Sequence, residues 1–269
     1  MDFYFLPQFF VFALGLCVGS FLNCVIYRLE QKKSLKGRSF CPRCEHKLCW
    51  KDLFPVFSFL FLGGKCRYCK AKISWQYPAV ELVTAMIFLL ISKYTINFTR
   101  ANFVVYLGLL FYFYIARALI IIFVYDLKHY IIPDKILFPA IFLTFLNLIF
   151  NFKFLPAQAG KILNCAAAAA LASGFFLAVF LITKGRGMGF GDVKLATLMG
   201  LLLGFPNILV ALFLDFFFGA IMGIILMVAK KKSLKSEIPF GPFLIAGTFL
   251  SLFWGSEIIQ LYFKLFQIQ

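Results

Sequence analysis

Acidic residues are scarce in this sequence, which has only 11 Asp and Glu among 269 residues, and charged residues of both signs make up only 14%. Soluble domains carry about 25% charged and about 45–50% apolar residues, whereas 62% of this chain is hydrophobic. Runs of roughly 20 apolar residues recur along it, each long enough to cross a hydrocarbon layer about 30 Å thick. These runs favour a protein integral to a membrane over the alternative, a soluble helical protein with an oversized core.

Cations are absent from the N-terminus, where a cleaved signal peptide would carry them. Asp2 precedes the first apolar run without a Lys or Arg, and no small-residue cleavage site follows before Arg28. We therefore expect the first run to be retained as a transmembrane helix.

The apolar runs predict an all-α membrane protein with about eight transmembrane helices, because a helix satisfies its own backbone hydrogen bonds in lipid. The sixth run is short and bends into the seventh around residues 204–207, so seven spans with one re-entrant segment are the alternative. The runs lie near residues 5–27, 78–92, 103–125, 136–151, 162–183, 194–205, 207–229 and 242–263.

A net charge of +16 would suit a nucleic-acid-binding protein, but the cations sit in loops between the apolar runs. Most of them fall in alternate loops, which the positive-inside rule assigns to the cytoplasm, with both termini on the opposite side. We therefore expect a lipid bilayer, and no nucleic acid, as a partner. The loops of the cytoplasmic set are 28–76, 126–135, 184–194 and 230–237.

Four cysteines in the long loop have the spacing of a metal site. Cys41 and Cys44 form one CxxC pair and Cys66 and Cys69 form a second, with 21 residues between the pairs. Two such tight turns can close a tetrahedral shell of four sulfurs around zinc. A reducing cytosol favours metal ligation over the alternatives of two disulfides or four free thiols. Because four protein ligands leave no open coordination position, the predicted zinc is structural.

The other thiols and the histidine of the loop are given lesser roles. His46 could compete as a ligand, but four cysteines suffice, and we interpret it as an unliganded surface histidine. Cys49 stays ambiguous. The cysteines inside apolar runs are expected to be packing residues; they are Cys17, Cys24 and Cys165.

Two aspartates lie where apolar runs meet the predicted cytoplasmic face. Asp126 ends the third run, and Asp192 opens the sixth. Ionisable groups at a membrane are costly, so each is a functional hypothesis. If the two carboxylates meet, one keeps a proton, and the pair can activate water against a peptide carbonyl. A role for Asp192 as a helix cap or dipole partner is the competing interpretation.

No other catalytic pattern competes with this pair. The chain has 2 histidines, His46 and His129, and neither an H-E-x-x-H motif nor a plausible serine–histidine or cysteine–histidine set. The glycine-rich loop before Asp192 is pliable, and it lacks the GK[ST] of a phosphate loop.

The remaining acidic groups near apolar runs have structural interpretations. Asp134 is expected to cap the fourth helix, with catalysis as the alternative. Asp215 lies in the middle of the seventh run, where it would pair with Arg117 or line a wet cavity. For Asp52 and Glu81, beside the cysteine loop, we expect solvated or capping roles.

Five segments, in order along nearly the full length, resemble the signatures of the type IV prepilin peptidase family, also called prepilin leader peptidase/N-methyltransferase. Each match alone is modest, but five in the right order are highly specific. The segments are GSFLNCVIYR (19–28), the paired-cysteine loop continuing into ISWQYPAVELVTA (73–85), D-x5-IPD (126–134), GFGDVKL (189–195) and IPFGPFL (238–244).

The resemblance implies an aspartic peptidase whose catalytic pair matches Asp126 and Asp192. It implies removal of the short basic leader from prepilins or pseudopilins, after a glycine, at the cytoplasmic face of the bacterial inner membrane. Members with the cysteine loop usually also N-methylate the new terminal residue with S-adenosylmethionine. No glycine-rich Rossmann-type motif is present, so methylation rests on the resemblance alone.

The expected organisation is a first transmembrane helix at 1–27, a cytoplasmic zinc-binding loop at 28–76 and a polytopic aspartic peptidase membrane domain at 77–269. Two alternatives stay open. One is a peptidase without methyltransferase activity. The other is a non-enzymatic zinc-ribbon transporter or assembly scaffold, which would favour broken helices in corresponding halves, and no such repeat is found in the sequence.

Overall fold

The structure, a computed structural model, describes residues 5–95, 103–154, 159–185, 187–229 and 238–265. Across these ranges the regular elements are helices, with one short 3₁₀ turn at Trp50–Asp52 and two isolated β-bridges. The all-α prediction is confirmed. The helices are α1 (Phe5–Glu30), α2 (Phe57–Phe61), α3 (Gln76–Thr95), α4 (Phe103–His129), α5 (Asp134–Phe154), α6 (Ala159–Ile182), α7 (Phe190–Leu203), α8 (Asn207–Val228) and α9 (Gly241–Leu265).

Six helices of the described residues, α1, α3, α4, α6, α8 and α9, are long and apolar enough to cross a membrane. The chain is therefore a multi-pass membrane protein. Helix α7 has only 14 residues, fewer than the roughly 20 that a span needs. It corresponds to the sixth apolar run, which the sequence had already marked as short.

The chain divides into two compact units, Met1–Ile121 and Ile122–Gln269, with the boundary inside α4. In the first unit α1 and α3 approach closely enough to require glycine. A Cβ added to Gly15 would lie 2.5 Å from the Ala85 Cα, and one added to Gly19 would lie 2.6 Å from the Glu81 Cα. This close packing brings the end of α1 beside the start of α3, and the cysteine loop joins these two ends.

The second unit is built around the short helix α7. A Cβ added to Gly200 of α7 would overlap the backbone of Ala169 in α6, so these two helices touch at their backbones. Seven residues of α7 are buried, among them Asp192 in its first turn and Met199 near its end. Because so much of α7 is enclosed by protein, the helix places Asp192 inside the unit and away from its surface.

The turn between α7 and α8 is fixed by one side chain of α6. The Asn164 Oδ1 accepts a hydrogen bond from the Phe205 N–H at 2.6 Å, and its Nδ2 donates to the Phe205 carbonyl at 3.2 Å. Gly204 has a positive φ of 64°, a conformation that favours glycine. The bend that the sequence placed around residues 204–207 is therefore a defined turn with its backbone groups satisfied.

Candidate active site and metal site

The four paired cysteines converge in the first unit. The Sγ atoms of Cys41, Cys44, Cys66 and Cys69 all lie within 4.8 Å of one another, and those of Cys41 and Cys69 are 3.9 Å apart. In a tetrahedral zinc site with Zn–S bonds of about 2.3 Å, the sulfurs are about 3.8 Å apart. The cluster therefore has the donor set and the size that a zinc ion requires.

The two CxxC pairs lie on turns of the same construction. In the first turn the Cys41 N–H donates to the His46 carbonyl at 3.0 Å, and in the second the Cys66 N–H donates to the Ala71 carbonyl at 2.8 Å. Each turn is closed by an antiparallel bridge, Phe40 with Lys47 in one and Lys65 with Lys72 in the other. Equivalent turns present their sulfurs in equivalent ways, as a closed four-ligand site needs.

The thiols of the cluster differ in how readily they ionise. All four cysteines are free, with Cys41 and Cys66 buried. Burial raises the pKa of Cys41, but hydrogen bonds from the backbone N–H groups of Cys44 and Arg43 and from the Cys44 and Cys66 thiols together lower it to about 7. The backbone of His46 lowers the pKa of Cys44, but burial and the neighbouring sulfurs of Cys69 and Cys41 raise it to about 11. The thiolate is the form that binds metal.

Two neighbours of the cluster have other contacts. The ring of His46 stacks on Tyr68 with centroids 3.6 Å apart, and His46 is not among the four residues of the cluster. The Tyr68 hydroxyl lies 3.6 Å from the Cys49 Sγ. These contacts agree with the interpretation of His46 as an unliganded residue, and they give Cys49 a packing partner.

The two aspartates of the predicted pair both lie in the second unit. Asp126 is in the last turn of α4 and is 4% exposed, whereas Asp192 is in the first turn of α7 and is 7% exposed. The Asp192 Oδ2 accepts a hydrogen bond from the Gly189 N–H at 3.2 Å. The capping role considered for Asp192 is therefore present, and it orients a buried carboxylate.

The electrostatics of Asp192 indicate a nearby like charge. Asp192 precedes the sixth apolar run and lies outside the six candidate spans. The pKa of Asp192 is raised to about 7, chiefly by burial and further by the charge of Asp126, while the Gly189 N–H opposes the shift. Two carboxyl groups that sense each other in this way do not both ionise readily.

Ile132 and two glycines connect the segments that carry the two aspartates. A Cβ added to Gly241, at the start of α9, would lie 2.6 Å from the Asp126 Oδ2 and 3.5 Å from the Ile132 Cδ1. A Cβ added to Gly191, next to Asp192, would lie 3.0 Å from the Ile132 Cβ. Three segments singled out in the sequence, 126–134, 189–195 and 238–244, therefore meet around one isoleucine. No separate role was predicted for Gly241 or Ile132 from the sequence.

Asp134 has a partner that the sequence did not predict. Its carboxylate accepts hydrogen bonds from the Lys194 Nζ at 2.8 and 2.9 Å, and the Nζ also lies 5.3 Å from the Phe190 ring centroid. Asp134 is in the first turn of α5, where the helix dipole favours a negative charge. This ion pair ties α5 to α7 beside Asp192, and the capping role expected of Asp134 stays a prediction.

The other acidic groups have three different environments. Asp215 is fully buried, and neither of its carboxylate oxygens has a hydrogen-bonding partner among the described residues. Asp52 accepts the Cys49 N–H, which agrees with a capping role. Glu81 is buried and accepts the Val56 N–H at 2.7 Å, so a solvated role for Glu81 is wrong.

Comparison with known proteins places both sites within matched regions. The chain matches the model of the bacterial peptidase A24 N-terminal domain over residues 13–95 and that of the type IV leader peptidase family over residues 113–224. The first match contains all four cysteines of the cluster, and the second contains both aspartates.

Several curated relatives named prepilin leader peptidase/N-methyltransferase are similar over nearly their whole length. The relative from Bacillus subtilis is 34% identical over 258 residues, which cover 95% of this chain and 97% of the relative. That from Pseudomonas aeruginosa is 34% identical over 93% of this chain and 91% of the relative. That from Legionella pneumophila is 32% identical over 95% of both. No solved structure matches the chain.

Proposed function

We propose that this chain, which belongs to the type IV leader peptidase family, is a membrane aspartic endopeptidase that removes the leader from type IV prepilins or pseudopilins. We infer that it acts at the cytoplasmic face of the bacterial inner membrane. The observation that carries the proposal is the pair of buried carboxyl groups, Asp126 and Asp192, which are near enough for the charge of Asp126 to raise the pKa of Asp192. The names of the relatives supply the substrate class.

The proposed chemistry uses the different protonation of the two carboxyl groups. Asp192, with its pKa raised to about 7, holds the shared proton and donates a hydrogen bond to the oxygen of the scissile peptide. The ionised Asp126 accepts a proton from a water molecule, whose oxygen adds to the peptide carbon. This proton then passes to the leaving nitrogen as the C–N bond breaks.

The four cysteines are proposed to hold one zinc ion. When bound, zinc supplies a closed structural centre, and its binding free energy contributes to the folding of the loop. Cys41 and Cys66 would hold it from the buried side, and Cys44 and Cys69 from the exposed side. Zinc has no proposed step in the hydrolysis.

The second proposed activity is N-methylation of the new terminus, with S-adenosylmethionine as methyl donor. It rests on the name of the relatives, which includes N-methyltransferase. The described residues hold no glycine-rich nucleotide loop, so no step of methyl transfer is derived from them. A peptidase without this activity is the second candidate function.

The test is an intact-mass measurement of a prepilin incubated with the purified full-length protein in liposomes. Loss of the leader supports the peptidase, and one added methyl group in the presence of S-adenosylmethionine supports the transferase. A prepilin that stays intact with metal-loaded protein would contradict both activities and would favour the scaffold or transporter alternative.

A further inference from the structure

The loop between the two cysteine pairs exposes a run of large apolar side chains. We call residues 50–61, WKDLFPVFSFLF, the aromatic segment. Trp50 is 71% exposed and Phe61 is 86% exposed. Contiguous apolar surface of this kind on a polar loop marks an interaction site. The other exposed apolar side chains of the segment are Leu53, Phe54, Phe57 and Leu60.

The orientation of the aromatic segment is fixed from its inner side. Phe59 is buried, and its ring centroid lies 4.8 Å from that of Trp75. A Cβ added to Gly64 would lie 3.2 Å from the Phe59 ring. Pro55 is also buried. Since these contacts hold one side of the segment, the apolar side chains of the other side project outward together.

The depth of the aromatic segment is fixed by Glu81. The Glu81 Oε2 accepts the Val56 N–H at 2.7 Å. Helix α3 begins at Gln76, and five residues of helix advance about 7.5 Å, so Glu81 lies more than one turn inside α3. The segment is therefore held beside the first turns of a membrane-crossing helix.

The hydrogen bond between Glu81 and Val56 is itself typical of backbone at membrane depth. A backbone N–H that leaves water must find a partner within the protein, and a buried glutamate supplies one here. Val56 has a φ of 61°, which is uncommon for a β-branched residue. The loop therefore keeps an unfavourable backbone conformation in order to stay against α3.

The charges around the aromatic segment complement a lipid surface. Exposed lysines lie within the segment and after it, and the Lys51 Nζ lies 5.6 Å from the Trp50 ring centroid. Basic residues next to a membrane helix are attracted to anionic headgroups, and Trp is enriched at the membrane interface. These exposed lysines are Lys51, Lys65, Lys70 and Lys72.

We propose that the aromatic segment lies in the interface of the bilayer on the side where α1 ends and α3 begins. Its exposed Trp, Phe and Leu side chains contact the headgroup and upper acyl region, and the flanking lysines contact anionic headgroups. This surface continues the lipid-facing surface of α3, which includes the exposed Leu82 and Val83. The bilayer therefore accounts for the exposed surface without a soluble partner.

The test measures fluorescence quenching in liposomes that contain an anionic phospholipid and lipids brominated on their acyl chains. Trp75→Phe with Trp254→Phe leaves Trp50 as the one remaining tryptophan of the 3 in the chain. A second reporter is Phe61→Trp in a background that also carries Trp50→Phe. The matched control is Arg43→Trp in that same background, because Arg43 is exposed in the first cysteine turn outside the segment.

Brominated lipid should quench most of the tryptophan emission at positions 50 and 61, and aqueous acrylamide should quench little of it. At position 43 we expect strong quenching by acrylamide and little quenching by brominated lipid. Emission at 50 and 61 that acrylamide quenches as in the control would overturn the proposal. Protection that arises only after a prepilin is added would also overturn it and would make the segment a substrate-docking surface.

A second measurement does not depend on the tryptophan background. A photoreactive benzoylphenylalanine at position 61 of the otherwise unchanged protein keeps an aromatic ring at that site. After illumination in liposomes, mass spectrometry of the adduct should show lipid. Recovery of the unmodified protein, or adducts to an added prepilin with no lipid adduct, would contradict the proposal.

Discussion

The cysteine cluster and the aspartate pair are assembled in different ways. The cysteine cluster comes from two equivalent turns within residues 41–69, each closed by its own hydrogen bonds. The aspartate pair comes from three segments spread over residues 126–241, and it depends on two glycines that leave room around Ile132. A site built from local turns tolerates change elsewhere, whereas a site built from distant helices depends on their packing.

The largest effect is expected from the carboxylates themselves. Asp126→Asn and Asp192→Asn should each lower the rate of prepilin cleavage by about 10²–10⁴-fold, the usual contribution of a proton-transfer group. Membrane abundance should stay near normal, because Asn preserves the shape of each side chain. The rate is measured with a purified prepilin, and a rate close to wild type for either variant would show that the pair is not catalytic.

Gly241→Ala tests whether clearance around Asp126 matters. The added Cβ would lie 2.6 Å from the Asp126 Oδ2, and a displacement of about 1 Å in an active site can cost about 10²-fold in rate. We expect kcat to fall more than KM rises. Gly223→Ala is the matched control, since a Cβ there meets no atom within 4 Å. Equal rates for the two variants would contradict the geometry.

The pH dependence tests the protonation assigned to Asp192. With its pKa raised to about 7, the protonated form is lost as the pH rises through that value. Cleavage should therefore fall about tenfold per pH unit above the midpoint. The folded state also binds this proton more tightly than the unfolded chain, so stability should decrease as the pH rises from the ordinary pKa of 3.8 to about 7 and should level off above that value. A cleavage rate that does not change from pH 6 to pH 9 would contradict the assignment of the proton to Asp192.

Removing a metal ligand should affect cleavage less than methylation. Cys66→Ser should lose the zinc, and the double variant Cys41→Ser with Cys44→Ser should impair methylation of recovered pilin more than leader removal. Cys49→Ser is the control, because Cys49 lies outside the cluster. Elemental analysis and pilin mass spectrometry measure both effects. Equal loss of the two activities would mean that the loop supports the fold of the whole protein.

The smallest effect is expected at the ion pair next to the active site. Asp134→Asn removes a charge that is 51% exposed, and exposed ion pairs contribute only about 0–1 kcal/mol. Cleavage should fall by severalfold at most, with the pH midpoint unchanged. A loss as large as that of Asp126→Asn would indicate that Asp134 belongs to the catalytic set.

The structural features that depend on neighbouring residues were predicted best from the sequence. The helices follow from runs of apolar residues, and the cysteine cluster follows from two CxxC spacings, because both are encoded by residues close together in the chain. The short seventh helix could also be anticipated from Gly204 and Pro206. The role of each aspartate as a catalytic group stays a prediction.

Contacts between distant segments were not predictable in the same way. Asp134 and Lys194 are 60 positions apart, and their pairing depends on the relative rotation of α5 and α7. Glu81 was expected to be solvated because it is charged, yet it is buried where α1 packs on α3 and accepts a hydrogen bond from the Val56 N–H. Residue types alone do not specify how two helices are rotated relative to each other or how deeply a side chain is buried. These two interactions could therefore be identified only from the three-dimensional structure.

The length of α7 has a consequence for where the helix can end. A helix of 14 residues is about 21 Å long, about 9 Å less than the hydrocarbon thickness of a typical bilayer. Backbone groups at membrane depth need partners within the protein, and the burial of half of the residues of α7 supplies that enclosure. The turn that Asn164 stabilises can therefore end α7 inside the protein, where its short length does not have to match the thickness of the bilayer.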